Sequence, residues 1–184
     1  HLAYKIIQKK PGSDAEALTI YDCDHLQAME PSEEGTYYIL KNTIECGVTS
    51  KWDGGKGFKQ INIDKGKKLF LNGNKNSIRG LTINRPEESL VGLFGRIQGE
   101  SEITNLILER PNIEGKSYVA SLIGHVDSSA SLTAENIEIF DPKVTGVERV
   151  GGVVGAQWPS VSAGSRCSPR RVGHLQWLGT VDAG

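Results

Sequence analysis

One methionine, three cysteines and an aromatic content of 7% in 184 residues mark what this sequence has little of. No apolar run approaches the roughly 20 residues that a membrane-spanning helix needs. The sequence holds no H-E-x-x-H, no G-x-S-x-G and no C-x-x-C. These absences remove a zincin-type metal centre, a nucleophile elbow and a structural zinc knuckle in turn. A charge excess of one sign is missing as well, with 21 Lys+Arg against 22 Asp+Glu. Nucleic-acid binders concentrate basic charge, so nucleic acid is not an expected partner, and neither is a membrane. The first residue is His1 rather than methionine, which reads as a mature or excised piece.

Glycine is abundant, at 22 residues, and it follows an internal repeat. Asn105-Leu106-Ile107-Leu108 aligns with Asn136-Ile137-Glu138-Ile139 at an offset of 31. The same offset carries Pro111 to Pro142 and Val119-Ala120-Ser121-Leu122-Ile123-Gly124 to Val150-Gly151-Gly152-Val153-Val154-Gly155, without a gap. An earlier half-copy places Gly80 to Pro86 on Asn105 to Pro111, offset 25, and Val91-Gly92-Leu93-Phe94-Gly95 on residues 119–124, offset 28 or 29. Each unit reads as short strands broken by Gly, Pro, Asn and Asp. A unit of about 30 residues is too short for a propeller blade of about 40 to 50. It suits one coil of a parallel β-solenoid, with equivalent residues stacked at the inter-strand distance of about 4.8 Å. Gly92, Ala120 and Gly151 then share a column, and Leu93, Leu122 and Val153 form an inward stack. Gly95, Gly124 and Gly155 suit corner turns with positive φ.

The segments V-G-L-F-G, V-A-S-L-I-G and V-G-G-V-V-G resemble the GLUG motif repeat of large bacterial and archaeal surface or secreted proteins, streptococcal immunoglobulin A1 metallopeptidases among them. Gly35 to Ile44 resembles the leader strand of those proteins, and Phe70 to Ile78 their F-D-G-N-G-H-T-I turn. The resemblance covers roughly residues 20–155. It implies an extracellular module, and it carries no peptidase chemistry to this chain.

The expected fold is all-β: a short right-handed parallel β-helix with an N-terminal cap that includes a short helix. Residues 1–50 form the cap, 51–155 the solenoid repeats, and 156–184 an irregular tail that is poorly ordered or capping. Asp24 N-caps a helix over His25 to Met29, stopped by Pro31. Strands are expected at 3–8, 36–40, 42–46, 58–63, 68–71 and 77–83, with a loop from Lys51 to Lys59. If the tail is not a cap, the coil at 150–155 presents a bare edge open to self-association.

Cys23 and Cys46 either pair as a disulfide or remain two buried thiols. Asp22-Cys23-Asp24-His25 has the residue types of a metal site, but Asp24 is already explained as a cap, so no metal and no cofactor are expected. Hydrolysis of a polysaccharide wants two carboxylates on one groove, and Glu135, Glu138, Asp141 and Glu148 are spread around the coil. His125 reads as a solvated turn residue, and Asp64 to Lys68 as a charged turn ahead of a small anion patch. Thr82 falls against Ile107 and Glu138, so no threonine column favours ice binding. Trp52, in a Gly-rich loop, is the best candidate for an exposed ligand-binding aromatic.

Together these features point to a non-catalytic extracellular surface module for adhesion, structural display or assembly. Its partners would be a cell-surface glycan, a host or neighbouring surface protein, or a second copy at the solenoid edge. The alternatives are a polysaccharide-active β-helix enzyme and an accessory domain of a secreted peptidase.

Overall fold

The computed structural model describes residues 17–157. The expected strand at 3–8 and nearly all of the expected tail lie outside these residues. The elements in order are β1 (Leu18–Ile20), α1 (Cys23–Gln27), β2 (Thr36–Leu40), β3 (Ile44–Glu45), a 3-10 segment (Gly47–Gly55), β4 (Ile61–Ile63), β5 (Lys68–Asn72), β6 (Ser77–Arg79), β7 (Thr82–Asn84) and β8 (Phe94–Ile97). They continue with β9 (Glu100–Thr104), β10 (Ile107–Glu109), β11 (Asn112–Glu114), β12 (Ser117–Ala120), β13 (Ile123–Val126), β14 (Ser131–Glu135), β15 (Glu138–Phe140), β16 (Lys143–Thr145), β17 (Glu148–Gly151) and β18 (Val154–Gln157).

Apart from β1 and β2, strands that neighbour in sequence do not pair. The sheet orders are β1-β2-β5-β9-β14, β15-β10-β6-β3, β16-β11-β7, β12-β17 and β18-β13-β8-β4. Each pairing of named strands is parallel. A chain that adds one strand to each sheet per circuit is a parallel β-solenoid, here of about four turns, as the repeat predicted. Ile107 pairs with Glu138, Asn112 with Lys143, Ser117 with Glu148 and Ile123 with Val154. The ungapped offset of 31 is therefore the register of the last two coils.

The earlier half-copy is corrected. Ile78 pairs with Leu108 and Ile83 with Ile113, an offset of 30 rather than 25. Val91 bridges Val119, and Phe94 pairs with Ile123. Offsets 28 and 29 both hold, because one extra residue intervenes at Ser121. Thr82 consequently faces Asn112 and then Lys143, and the column is still not a threonine column.

Alternation along strands such as β2, β5, β9 and β11 sends one face inward. Tyr38, Leu71, Ile103 and Ala134 stack in one column, and Ile44, Ile78, Leu108 and Ile139 in another, all buried. Burying side chains of this size contributes about 1.5–3 kcal/mol each before entropy is counted. Burial thins toward the last coil: Val119 is 0% exposed and Val150, next in its column, is 37% exposed.

The glycine columns are real, but their reason differs from the one expected. Gly95, Gly124 and Gly155 lie inside strands, and none has a positive φ. Their constraint is space. A Cβ on Gly155 would come within 2.8 Å of the Tyr118 carbonyl carbon, and one on Gly151 within 2.0 Å of the Val154 oxygen. Gly152 accepts a bond at its oxygen from the Ser121 amide at 3.2 Å, tying it to the coil before. The left-handed corners fall instead on Gly80, Arg110 and Asp141, on Asn105 and Asn136, and on Leu90, Tyr118 and Arg149. Asparagine tolerates this conformation, and the side chains form a ladder. Asn136 Nδ2 donates to Asn105 Oδ1 at 3.0 Å, and Asn105 Nδ2 to Asn72 Oδ1 at 3.4 Å.

At the N-terminal end, β2 and β3 pair directly with β5 and β6, and β1 pairs with β2, so the sheets continue into the region expected as a cap. Helix α1 starts at Cys23, and its N-cap is Asp22 rather than Asp24. Asp22 Oδ1 accepts from the His25 amide at 2.8 Å, satisfying one of the free N–H groups of the first turn. A disulfide joins Cys23 to Cys46 with their Cα atoms 5.6 Å apart. The expected loop at 51–59 begins as the end of the 3-10 segment, which is broken in its middle by left-handed Asp53 and Gly54.

Candidate functional site

Apart from Arg85, the ion-paired side chains of the described residues are partly or largely exposed. On the sheet containing β6 and β10, Arg79 sits between two carboxylates. Its Nε donates to Glu109 Oε2 at 2.9 Å and its Nη1 to Glu45 Oε1 at 3.1 Å, while Ser77 Oγ donates to Glu109 Oε1 at 2.6 Å. The Ser77 hydroxyl, and then Arg79, hold the Glu109 carboxyl below its usual range against the opposing effect of burial. A carboxylate held ionised in this way is a poor general acid. Near β13, Arg96 Nη2 reaches Asp127 Oδ2 at 2.7 Å and lowers the Asp127 pKa, and Gln98 joins them at 3.4 Å.

The side chains singled out in the sequence are scattered. Trp52 is half-buried and packed against the core. Its ring stacks on Phe58 at 6.5 Å between centroids, so the exposed platform suggested by the loop glycines is only partly there. A closer aromatic pair, missed in the sequence, is Tyr37 on Phe70 at 4.4 Å and 19° on the outer face of the first sheet. Its sequence signal was their spacing of 33, the local coil length. Glu100 and Glu102 lie beside it; burial first, then these carboxylates, raise the Tyr37 pKa.

His125 lies in β13, half-buried, rather than in a turn. The Tyr118 ring meets its edge at 5.2 Å, and the Arg149 guanidinium lies 4.7 Å above that ring. Within Asp64 to Lys68, Lys68 reaches Glu100 at 2.9 Å and Lys67 reaches Glu33 at 3.4 Å, so these lysines are not an open anion patch. In Asp22-Cys23-Asp24-His25 the thiol is in a disulfide and Asp22 caps a helix. Among the described residues no group of three or more His, Cys, Asp or Glu is placed to hold a metal ion, and no helix is long and apolar enough to cross a membrane.

The most elaborate polar site is at Arg85, which is buried at 7% exposure. Its Nη2 contacts Asp53 Oδ2 at 3.0 Å, its Nη1 contacts Glu88 Oε1 at 3.0 Å, and its Nε points to the Phe58 oxygen at 3.5 Å. Gln60 Nε2 donates to the other Glu88 oxygen at 3.1 Å. Burial raises the Glu88 pKa, but the bonds from Gln60 and Arg85 outweigh it and leave the group below its usual range. The site ties one segment of chain to another and leaves neither carboxylate free of a partner.

A parallel β-solenoid with paired outer charges and an apolar interior is the class defined by this fold. The chain is 35% identical over 120 residues to Halomucin of Haloquadratum walsbyi, a match covering 64% of this chain and 1% of that protein. The chain thus spans about one hundredth of the relative. No family model matches the chain, and no solved structure matches it.

Proposed function

We propose that this chain is a non-catalytic solenoid module of a much larger extracellular surface protein, acting in structural display, adhesion or assembly. The observation that carries the reading is the in-register 31-residue coil with an apolar interior. Such coils extend a rod by repetition, each burying its face on the next. The outward carboxylates Glu45 and Glu109 are both engaged by Arg79 rather than poised over a groove. The Cys23–Cys46 bridge supports an oxidising, extracytoplasmic setting, where disulfides persist. A likeness to a protein named as a mucin supports the surface reading. The GLUG-type assignment of the V-G-x-x-x-G segments belongs to the same proposal, as do a cell-surface glycan or a neighbouring surface protein as partners.

The test is the size and location of the native polypeptide. An antibody to this domain should detect a product several-fold larger than 20.0 kDa, accessible to added protease on intact cells. A protease-resistant cytoplasmic product would overturn the reading. Release of reducing ends from a polysaccharide panel by the purified domain would overturn its non-catalytic part.

A further inference from the structure

The 3-10 segment lies along β7, the terminal strand of its sheet, and satisfies the backbone groups of that edge. The Thr82 amide donates to Thr49 Oγ1 at 2.9 Å. The Thr82 oxygen accepts from the Phe58 amide at 2.9 Å, and the Asn84 amide donates to the Lys56 oxygen at 2.8 Å. The approach is close: a Cβ on Gly57 would fall 2.3 Å from the Thr82 oxygen. Residues 47–58 are therefore a strap over an edge that would otherwise offer free N–H and C=O groups to another strand.

One buried charge fastens this strap. Arg85, in the turn after β7, reaches across to Asp53 on the strap, to Glu88 on its own turn, and toward the Phe58 oxygen. Both carboxylates stand half in solvent, with Asp53 57% and Glu88 45% exposed, while the guanidinium stays enclosed. The other groups facing this cluster are Gln60, which donates to Glu88, and Lys56, whose charge also favours ionised Glu88.

We propose that Arg85 is an acid-sensitive latch: protonation of Glu88 loosens the strap 47–58 from the β7 edge while the remaining coils stay folded. Arginine keeps its charge throughout the acid range, so neutralising Glu88 leaves a buried cation with one carboxylate partner in place of two, a destabilising arrangement. The sign follows from Glu88. Its folded pKa is depressed, so its contribution is present above the unfolded carboxylate value and is lost as pH falls through the folded one.

The experiment is amide hydrogen exchange on the full chain at pH 7 and in the acid carboxylate range, with rates normalised to intrinsic exchange. Protection at 47–58 and 82–84 should fall about tenfold or more on acidification, while β9 and β10 lose far less. Asp53→Asn and Glu88→Gln should each lower strap protection at pH 7 by about tenfold or more, and Glu88→Gln should flatten its pH dependence. Circular dichroism of each variant separates strap release from loss of the fold. Unchanged strap protection in acid, loss in step with the whole solenoid, or native protection in both variants would each overturn the latch.

Discussion

A methyl group on Gly124 would stand 2.6 Å from the carbonyl carbon of Leu90 and 2.7 Å from the Val91 nitrogen, in the coil before its own. The closing glycines of the last two motif segments, Gly124 and Gly155, are thus sites of coil-to-coil backbone approach. Gly124→Ala should lower stability by about 3 kcal/mol through overpacking against backbone that cannot move aside. Gly92→Ala should cost about 1 kcal/mol or less, because its nearest contacts are 3.0–3.1 Å and the next coil already carries Ala120 there. Denaturant unfolding of both variants checks the contrast; equal losses would refute the packing explanation.

The core should weaken toward its C-terminal end. Leu108 is fully buried in a middle coil, whereas Val144 in the last coil is only partly buried. Leu108→Ala should cost about 3 kcal/mol and Val144→Ala about 1 kcal/mol, since a cavity forms only where neighbours enclose the side chain. The same unfolding measurements decide this, and a larger loss at Val144 would mean that the end coil is better covered than the described residues show.

The Cys23–Cys46 bridge closes a sequence separation of 23 between the cap helix and the start of the strap. Cys46→Ser should lower stability by about 3 kcal/mol, chiefly by freeing the unfolded chain. In native oxidised protein both thiols should resist alkylation, and mass spectrometry of the labelled chain reads this directly.

Acidification should destabilise the fold through more than the Arg85 cluster. The folded pKa of Glu109 is depressed by the Ser77 hydroxyl first and then by Arg79, and that of Asp127 by Arg96 first. Both contributions are present above the unfolded carboxylate values and are lost as pH falls through the folded ones. Melting temperature should therefore drop below about pH 4, and Glu109→Gln should flatten part of that drop. An unchanged pH profile in this variant would show that the Glu45–Arg79–Glu109 ladder contributes nothing.

Much of the architecture was legible in the chain itself. An ungapped repeat whose apolar positions recur at 31 can bury them only by stacking, so the register of the last two coils followed from sequence. So did the extra residue at Ser121, visible as the shift from offset 28 to 29. Where the repeat loosens before residue 100, similarity of a few residues misled. Gly80 to Pro86 looks like Asn105 to Pro111, yet the hydrogen-bonded partner of Ile83 is Ile113, because stacking answers to the whole coil.

Tertiary structure decided what local pattern cannot carry. The motif glycines were readable as glycines, but whether they serve a turn or a close approach depends on a backbone one coil away. Arg85 sits in an ordinary polar stretch; its burial arises because the strap, 32 residues earlier at Asp53, folds across it. Trp52 in a Gly-rich stretch looked exposed until Phe58 turned back beneath it. Sequence determines spacing and side-chain chemistry along one dimension, whereas burial and charge pairing depend on which distant segments the coil brings within a few ångströms.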